Sequence, residues 1–449
     1  MTLSRLVARS LIRRDTALVQ YEIANRDSFW PGLLIPLSLQ PSNTVLILSD
    51  RQRTRLLNIE LPRLRDLQCS LPCWEGLRPP CGNQLWLLNI NELLIAFDKG
   101  FLQNKHLIFL DSHLLGQSFS KAMSIQIHLD DWDKLRRAHP SSDVLLIEIY
   151  ERLTKRLLVQ SNYLPDQICR IDPNNLIILK DIINTLSPLP SPWSQFSKLD
   201  INDWVAWAEI NPKTLSWVLN LQPLDPIQII KRLFLDHPIL FLLPSSQKTI
   251  LLSQMASISC SINVNVSLGG PIIQEPISIF SPYSQPLPNT EIFAKYLLDK
   301  SRQLILGQTG LTIILLNDNL LRKQLTSQLA AEFGTRVVHE LTAPEANGVI
   351  CCTWRWWIDH LSLLPAPAQV IVGLLPLPSL EKPLVAARVD FLKREGKDWF
   401  REYLLPEALS LFPQALEPLR RNHGRLAILD GRLRSRSWGK HFLKILEPW

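Results

Sequence analysis

A chain of 449 residues with 46% hydrophobic and 20% charged residues is long enough for two or three domains and too apolar to be disordered. Its net charge of +7 suits a nucleic-acid partner without requiring one. Seven cysteines, an odd number, exclude a secreted disulfide scaffold and make a reducing cytoplasm the expected compartment.

The chain opens on MTLSRLVARSLIRR, whose Leu3, Leu6, Val7 and Ile12 fit one helix face and which lacks the apolar core of a secretory signal. Strand Ala17–Gln20 follows, then a polar stretch, then a helical run holding Leu33–Leu39. Strand Asn43–Asp50 leads into the helical RQRTRLLNIELPRLR, and NQLWLLN and KHLIFLDSH are further short apolar runs. Continuous apolar strands separated by helices predict a parallel sheet covered on both faces. From 117 to 237, segments of helical period such as SSDVLLIEIYERLTKRLL alternate with Pro/Ser-rich breaks, notably Ser187–Ser197, and predict a mostly helical insertion. Strand Pro238–Ser246 resumes the sheet pattern, and the proline-rich Ser281–Asn289 reads as a linker.

A second α/β unit then runs through helix Thr290–Leu306, strand Leu311–Asp318, helix Leu320–Phe333 and strands in TRVVHEL, NGVICCTW and QVIVGLLP. One long helix over PLVAARVDFLKREGKDWFREYLLPEAL, a further helix and strand RLAILDGRL close it. The expected division is a first lobe from 1–116 and 238–280, an insertion at 117–237, a linker at 281–289 and a second lobe at 290–449. The longest uncharged stretch, Leu361–Leu380, carries Pro365, Pro367, Pro376 and Pro378, so it reads as loop and buried strand and no membrane partner is expected. Cys69, Cys73 and Cys81 come nearest to a metal pattern, but the next cysteine is Cys169 and no fourth ligand is at hand, so no metal is expected.

Leu375–Leu409 and Gly424–Leu443 together carry L-P-L-P, P-L-V-A-A-R, an F-x-x-Y-x-L-P-E-A pattern and A-I-L-D-x-R-L with a basic tail. This combination resembles the C-terminal lobe of DinG/XPD-type superfamily 2 DNA helicases. LTIILLNDNLLRKQL and PILFLLPSSQ fall where that family has the first strand of its second lobe and its S-A-T-L strand. The resemblance implies an α/β fold of two RecA-like lobes with parallel sheets and a mostly helical insertion in the first.

The same resemblance puts Gln20–Trp30 where the family has its Walker A loop, G-x-x-x-x-G-K-[ST]. That loop works because glycines let successive N–H groups point at phosphate while a lysine neutralises its charge. Here Glu22 and Asp27 add negative charge, no lysine occurs between Asp15 and Asp50, and Arg26, Asp27 and Ser28 remain as a vestigial nucleotide loop. The D-E-A-H position reads Leu110-Asp111-Ser112-His113, so only Asp111 and His113 have counterparts. S-A-T-L corresponds to Pro244-Ser245-Ser246-Gln247, and the F-W-E-G-V-D region to Trp356-Trp357-Ile358-Asp359-His360. Q-x-x-G-R-x-x-R becomes Gln414 through Arg421 with Pro418 at the arginine-finger position, a residue worth about 10³–10⁵ in rate where present.

Asp111, His113, Gln414 and Arg421 are therefore vestigial catalytic candidates. Trp356, Trp357, Arg425, Arg432, Arg434, Arg436 and Lys440 are candidates for nucleic-acid contact through stacking and phosphate pairing. The expectation is a cytoplasmic protein that binds single-stranded DNA, or a protein partner, without efficient ATP hydrolysis and with no cofactor or iron–sulfur cluster. One alternative is an active ATP- and magnesium-dependent helicase using Arg26, Asp111 and Arg421; another is an interaction scaffold that binds no DNA. The chain opens directly on its first helix, and added upstream residues would not restore a loop that lies downstream of it.

Overall fold

The apolar runs become strands in the computed structural model, which describes residues 2–21, 29–161, 168–211, 214, 216–244, 248–268, 276–361 and 363–449. Its contacts divide the chain into two units, one built from the residues up to 268 together with 379–398, the other from 269–378 and 399–449.

The first unit contains β1 (Ala17–Tyr21), β2 (Thr44–Ile47), β3 (Cys73–Trp74), β4 (Leu85–Leu88) and β5 (His106–Phe109). The inserted strands β6 (Ile125–Ile127), β7 (Ile168–Arg170), β8 (Trp204–Asn211) and β9 (Ser216–Pro223) follow, and β10 (Ile239–Pro244) and β11 (Val264–Ser267) complete the main sheet. Its order is β11-β1-β10-β5-β2-β4-β3, parallel throughout. Alternate strand residues supply two cores. Val19, Leu46, Ile108 and Leu242 meet the helices Thr2–Arg13 and Phe29–Leu39 on one face, while Leu18, Val45, Phe109 and Phe241 meet Ile90–Asp98 and Leu115–Ala122 on the other.

The insertion is helical over Leu129–Ala138, Asp143–Ser161 and Pro173–Asn184, but it is organised on a four-stranded antiparallel sheet, β6-β9-β8-β7, that the helical period does not reveal. WVAWAEIN and SWVLNLQP are rich in Trp and Val, the side chains that suit a pleated half-buried surface. Behind them Trp132, Trp193, Trp217 and Tyr150 pack edge-to-face and stacked, with Trp132–Trp193 centroids 4.7 Å apart.

The second unit's sheet contains β12 (Ser278–Phe280), β13 (Thr312–Leu315), β14 (Val337–His339), β15 (Val349–Cys352), β16 (Gln369–Val372) and β17 (Arg425–Ile428). The order is β12-β17-β16-β13-β15-β14, again parallel. Cys351 and Cys352 are successive residues of β15, so one enters each face of the core, and burial pushes the Cys351 thiol up to about 11. Adjacent strand residues diverge, so this pair is packing material.

Three expected boundaries shift. Residues 278–280 do not end the first lobe; they pair with β17 in register Ser278↔Arg425. The 281–289 stretch is no free linker, because Gln285 donates to the Ile428 carbonyl at 3.0 Å and a Cβ on Gly431 would lie 2.6 Å from the Pro286 carbonyl oxygen. The long C-terminal helix is two helices, Pro383–Arg394 and Phe400–Arg421, the latter opening with a π-turn. Gly396 stops the first with φ +69°, and 379–398 then packs within the first unit, where Asp390 accepts from Arg170 at 2.7 Å and Arg388 donates to the Leu224 carbonyl at 3.1 Å.

Candidate functional site

Ligands of open parallel sheets bind beyond the carboxyl ends of the strands. At that edge of the first unit, Asp111 follows β5 in the left-handed region, with φ 50° and ψ 44°. Its Oδ1 accepts from the Tyr21 hydroxyl at the end of β1 (3.0 Å), and its Oδ2 from Gln52 Nε2 beyond β2 (2.8 Å). The Gln52 amide orientation follows from its other contact: Oε1 accepts from the Ser49 backbone N–H at 2.9 Å as half of a capping box. Ser112, fully buried, donates to the Phe109 and Leu242 carbonyls and ties β5 to β10.

The nearby Arg53 guanidinium is committed to Glu92, 2.5 Å away. Burial pushes the Glu92 carboxyl up, but hydrogen bonds from Arg53 and the Asn89 backbone, with the Arg53 charge, outweigh it and leave the group below its ordinary range. The helix after the Walker A position begins Phe29-Trp30-Pro31. Tyr21 stacks on Phe29 at 5.2 Å and Phe29 on Trp30 at 5.0 Å, and Pro31 has no N–H to offer an anion. Arg26, Asp27, Ser28 and the 245–247 stretch lie outside the described residues. His113 belongs to the 3₁₀ turn Ser112–Leu114, and its side chain also lies outside them.

In the second unit the C-terminal edge is held by Arg322, which is 6% exposed. It donates to His339 Nε2 (3.0 Å), the Leu316 carbonyl (3.1 Å) and Asn319 (3.2 Å), while Glu340 accepts from the Thr353 N–H and hydroxyl. No sequence motif singled out this cluster.

The structure redistributes the remaining candidates. Trp357 is fully buried and donates to the Ala415 carbonyl at 2.8 Å, so no base can reach its ring and the stacking assignment fails for it. Trp356 is half-buried and stacks on His360 at 4.4 Å. Gln414 is 4% exposed and donates to the Ser410 carbonyl of its own helix, which turns it away from any ligand. Arg421 is exposed and bonded to Glu417 one turn earlier.

The expected basic run is split by β17. Arg425 begins that strand, so it lies at the sheet's opposite edge from Arg432, Arg434, Arg436 and Lys440, about 10 Å away along the strand. Arg432 grips the fully buried Asp430, which also accepts from the Leu375 N–H at 2.8 Å. Arg434, Arg436 and Lys440 are exposed, and among the described residues none has a carboxylate within 4.0 Å.

Among the described residues no group of three or more His, Cys, Asp or Glu side chains gathers as a metal site, and no helix is long and apolar enough to cross a membrane. Burial, reinforced by Glu75 and opposed by Arg65, pushes the half-buried Cys73 thiol up to about 12.

Residues 366–449 match the helicase C-terminal domain family. The chain is 29% identical over 128 residues to the ATP-dependent DNA helicase YoaA of Haemophilus influenzae, covering 28% of this chain and 20% of that protein. It is 28% identical over 182 residues to YoaA of Escherichia coli, covering 36% of this chain and 28% of that protein. Against 3'-5' exonuclease DinG of Bacillus subtilis it is 35% identical over 80 residues, 17% of this chain and 9% of that protein. The matched region thus spans less than a third of each curated relative. Two solved structures share the fold over nearly their whole lengths: Xpd4 of S. tokodaii (TM-score 0.59, 11% identity, 98% of this chain and 97% of that one) and apo XPD (TM-score 0.62, 12% identity, 100% and 99%). The chain thus shares the two-lobed RecA-like fold of the XPD structures, its last 84 residues match a helicase C-terminal domain, and part of its length is similar to the YoaA helicases and to DinG.

Proposed function

We propose that this helicase-family protein binds single-stranded DNA and does not hydrolyse ATP efficiently, acting in a reducing cytoplasm. The observation that carries the reading is Asp111, whose two carboxylate oxygens are already engaged by the neutral donors Tyr21 and Gln52. Magnesium at a nucleotide site is held by one or two carboxylates together with the phosphates, and the phosphates need a cation beside it. At this edge Leu110 stands in the first acid's position, no lysine occurs between Asp15 and Asp50, and Arg53 is spent on Glu92. Pro418 at the arginine-finger position and Pro31 in the first turn of its helix argue the same way, since neither can donate a hydrogen bond from its backbone nitrogen or supply charge. Arg434, Arg436 and Lys440 supply exposed positive charge for a phosphate backbone.

The test is steady-state ATP hydrolysis by the full chain, with and without a dT oligonucleotide, beside binding of that oligonucleotide across a salt series. The expected result is hydrolysis at the buffer blank together with binding that weakens as salt rises. Hydrolysis that DNA stimulates and Asp111→Asn abolishes would overturn the reading.

A further inference from the structure

The sequence offered Trp356 and Trp357 as stacking residues, yet the aromatic ring presented to solvent is another one. Tyr283 is 87% exposed, the most exposed of the large apolar or aromatic side chains described. It follows β12 at the C-terminal edge of the second sheet, and the Arg434 guanidinium carbon sits 4.8 Å from its ring centroid. The backbone carrying the ring is anchored: Gln285 donates to the Pro282 carbonyl (2.9 Å) and to the Ile428 carbonyl (3.0 Å), and Gly431 lets the Gln285 and Pro286 carbonyls approach where a Cβ would meet them at 2.7 and 2.6 Å. The ring thus lies against a cation, is 87% exposed, and is carried on an anchored backbone.

We propose that Tyr283 and Arg434 form a stacking platform for a base of single-stranded DNA, with Arg434, Arg436 and Lys440 meeting the flanking phosphates; this rests on the DNA-binding reading above. Three physical features fit that occupant. A base presents a flat π-face whatever its identity, so stacking tolerates any sequence. A guanidinium over a tyrosine keeps its edge N–H groups available for phosphate oxygens while adding positive charge beside the stack. The one carboxylate in the segment, Asp430, is fully buried and neutralised by Arg432, so it leaves the surface cationic.

Binding of a labelled dT oligonucleotide to the full chain, read by fluorescence anisotropy over a salt series, tests this. Tyr283→Ala is expected to weaken binding about 5- to 100-fold with the salt slope unchanged, because stacking releases no counterions. Tyr283→Trp is expected to bind like the original. Arg434→Ala is expected to lower the salt slope by about one. A strand carrying 2-aminopurine should lose its contact quenching with Tyr283→Ala. Tyr283→Ala binding within about twofold of the original, or failure of Tyr283→Trp to restore a lost affinity, would overturn the platform while leaving DNA binding intact. No binding by the unaltered chain would overturn both readings.

Discussion

His106 makes the first unit acid-labile in a way that one substitution can isolate. It opens β5, is 4% exposed, and neither ring nitrogen has a hydrogen-bond partner among the described residues. Burial, helped by the Arg14 charge and opposed by Asp15, pulls its pKa down to about 4 from the ordinary 6.5. The ring is therefore neutral when folded at pH 7 and titrates near 6.5 when unfolded. Because the folded value is depressed, the unfolded chain binds more protons between those two values. Stability is then full above about pH 6.5 and falls as pH drops toward 4. At 1.36 kcal/mol per pH unit the loss reaches about 3 kcal/mol. His106→Leu keeps the volume and suits the side of the sheet that Ile108 faces, so its stability should lack this decline. Urea unfolding of both chains at pH 4.5, 5.5, 6.5 and 7.5 reads the difference, and carboxylates common to both cancel. The gap between them should open by roughly 1 kcal/mol per pH unit below 6.5. Parallel pH profiles would refute the reasoning.

Tyr21→Phe deletes the hydroxyl that Asp111 accepts from, and should cost about 1 kcal/mol in a thermal melt; an unchanged midpoint would mean that the bond contributes nothing. Asp430→Ala leaves the Leu375 N–H and Arg432 without their acceptor and should cost about 3–5 kcal/mol, while adding Arg432→Ala should cost less than the two losses summed. Gly431→Ala drives a methyl against the Pro286 carbonyl and should destabilise by about 1–3 kcal/mol while raising protease cleavage within 281–289, read by limited proteolysis of the full chain.

The parallel sheets were legible because each central strand is a short apolar run between polar turns, as in TVLI, LWLL and TIIL, and burial on both faces demands that composition. The antiparallel sheet of the insertion was not, because β8 and β9 sit in a segment marked by Pro/Ser-rich breaks and their period-2 pattern is interrupted by the apolar Val205, Trp207 and Val218 on the face opposite the core. For the edge residues the limit is of another kind. Sequence names Asp111, but its partners Tyr21 and Gln52 lie 90 and 59 residues away and meet it only because β1, β2 and β5 end at one edge. Trp357 and Tyr283 exchange the parts their residue types suggest: the tryptophan fills a core, and the tyrosine in a proline-rich stretch is displayed. Composition cannot tell these apart, since the cover over Trp357 comes from the helix that carries Ala415, 58 residues on, whereas Tyr283 is left 87% exposed.

What each edge can bind follows from what its groups are already bonded to. Tyr21 and Gln52 engage both Asp111 oxygens with neutral donors, and Arg53 has its own carboxylate in Glu92. A polyphosphate arriving there would meet Arg53 already paired with Glu92, and would have to break that charge-assisted pair to engage it. The second unit differs. Asp430 is buried with Arg432, Arg322 is consumed by carbonyl, amide and imidazole acceptors, and Arg434, Arg436 and Lys440 remain exposed without a carboxylate partner among the described residues. Pairing the buried charges internally is what leaves the exposed ones unopposed, and unopposed cations beside an open ring suit a polyanion with flat bases better than a compact nucleotide phosphate that needs a closed cradle of N–H groups.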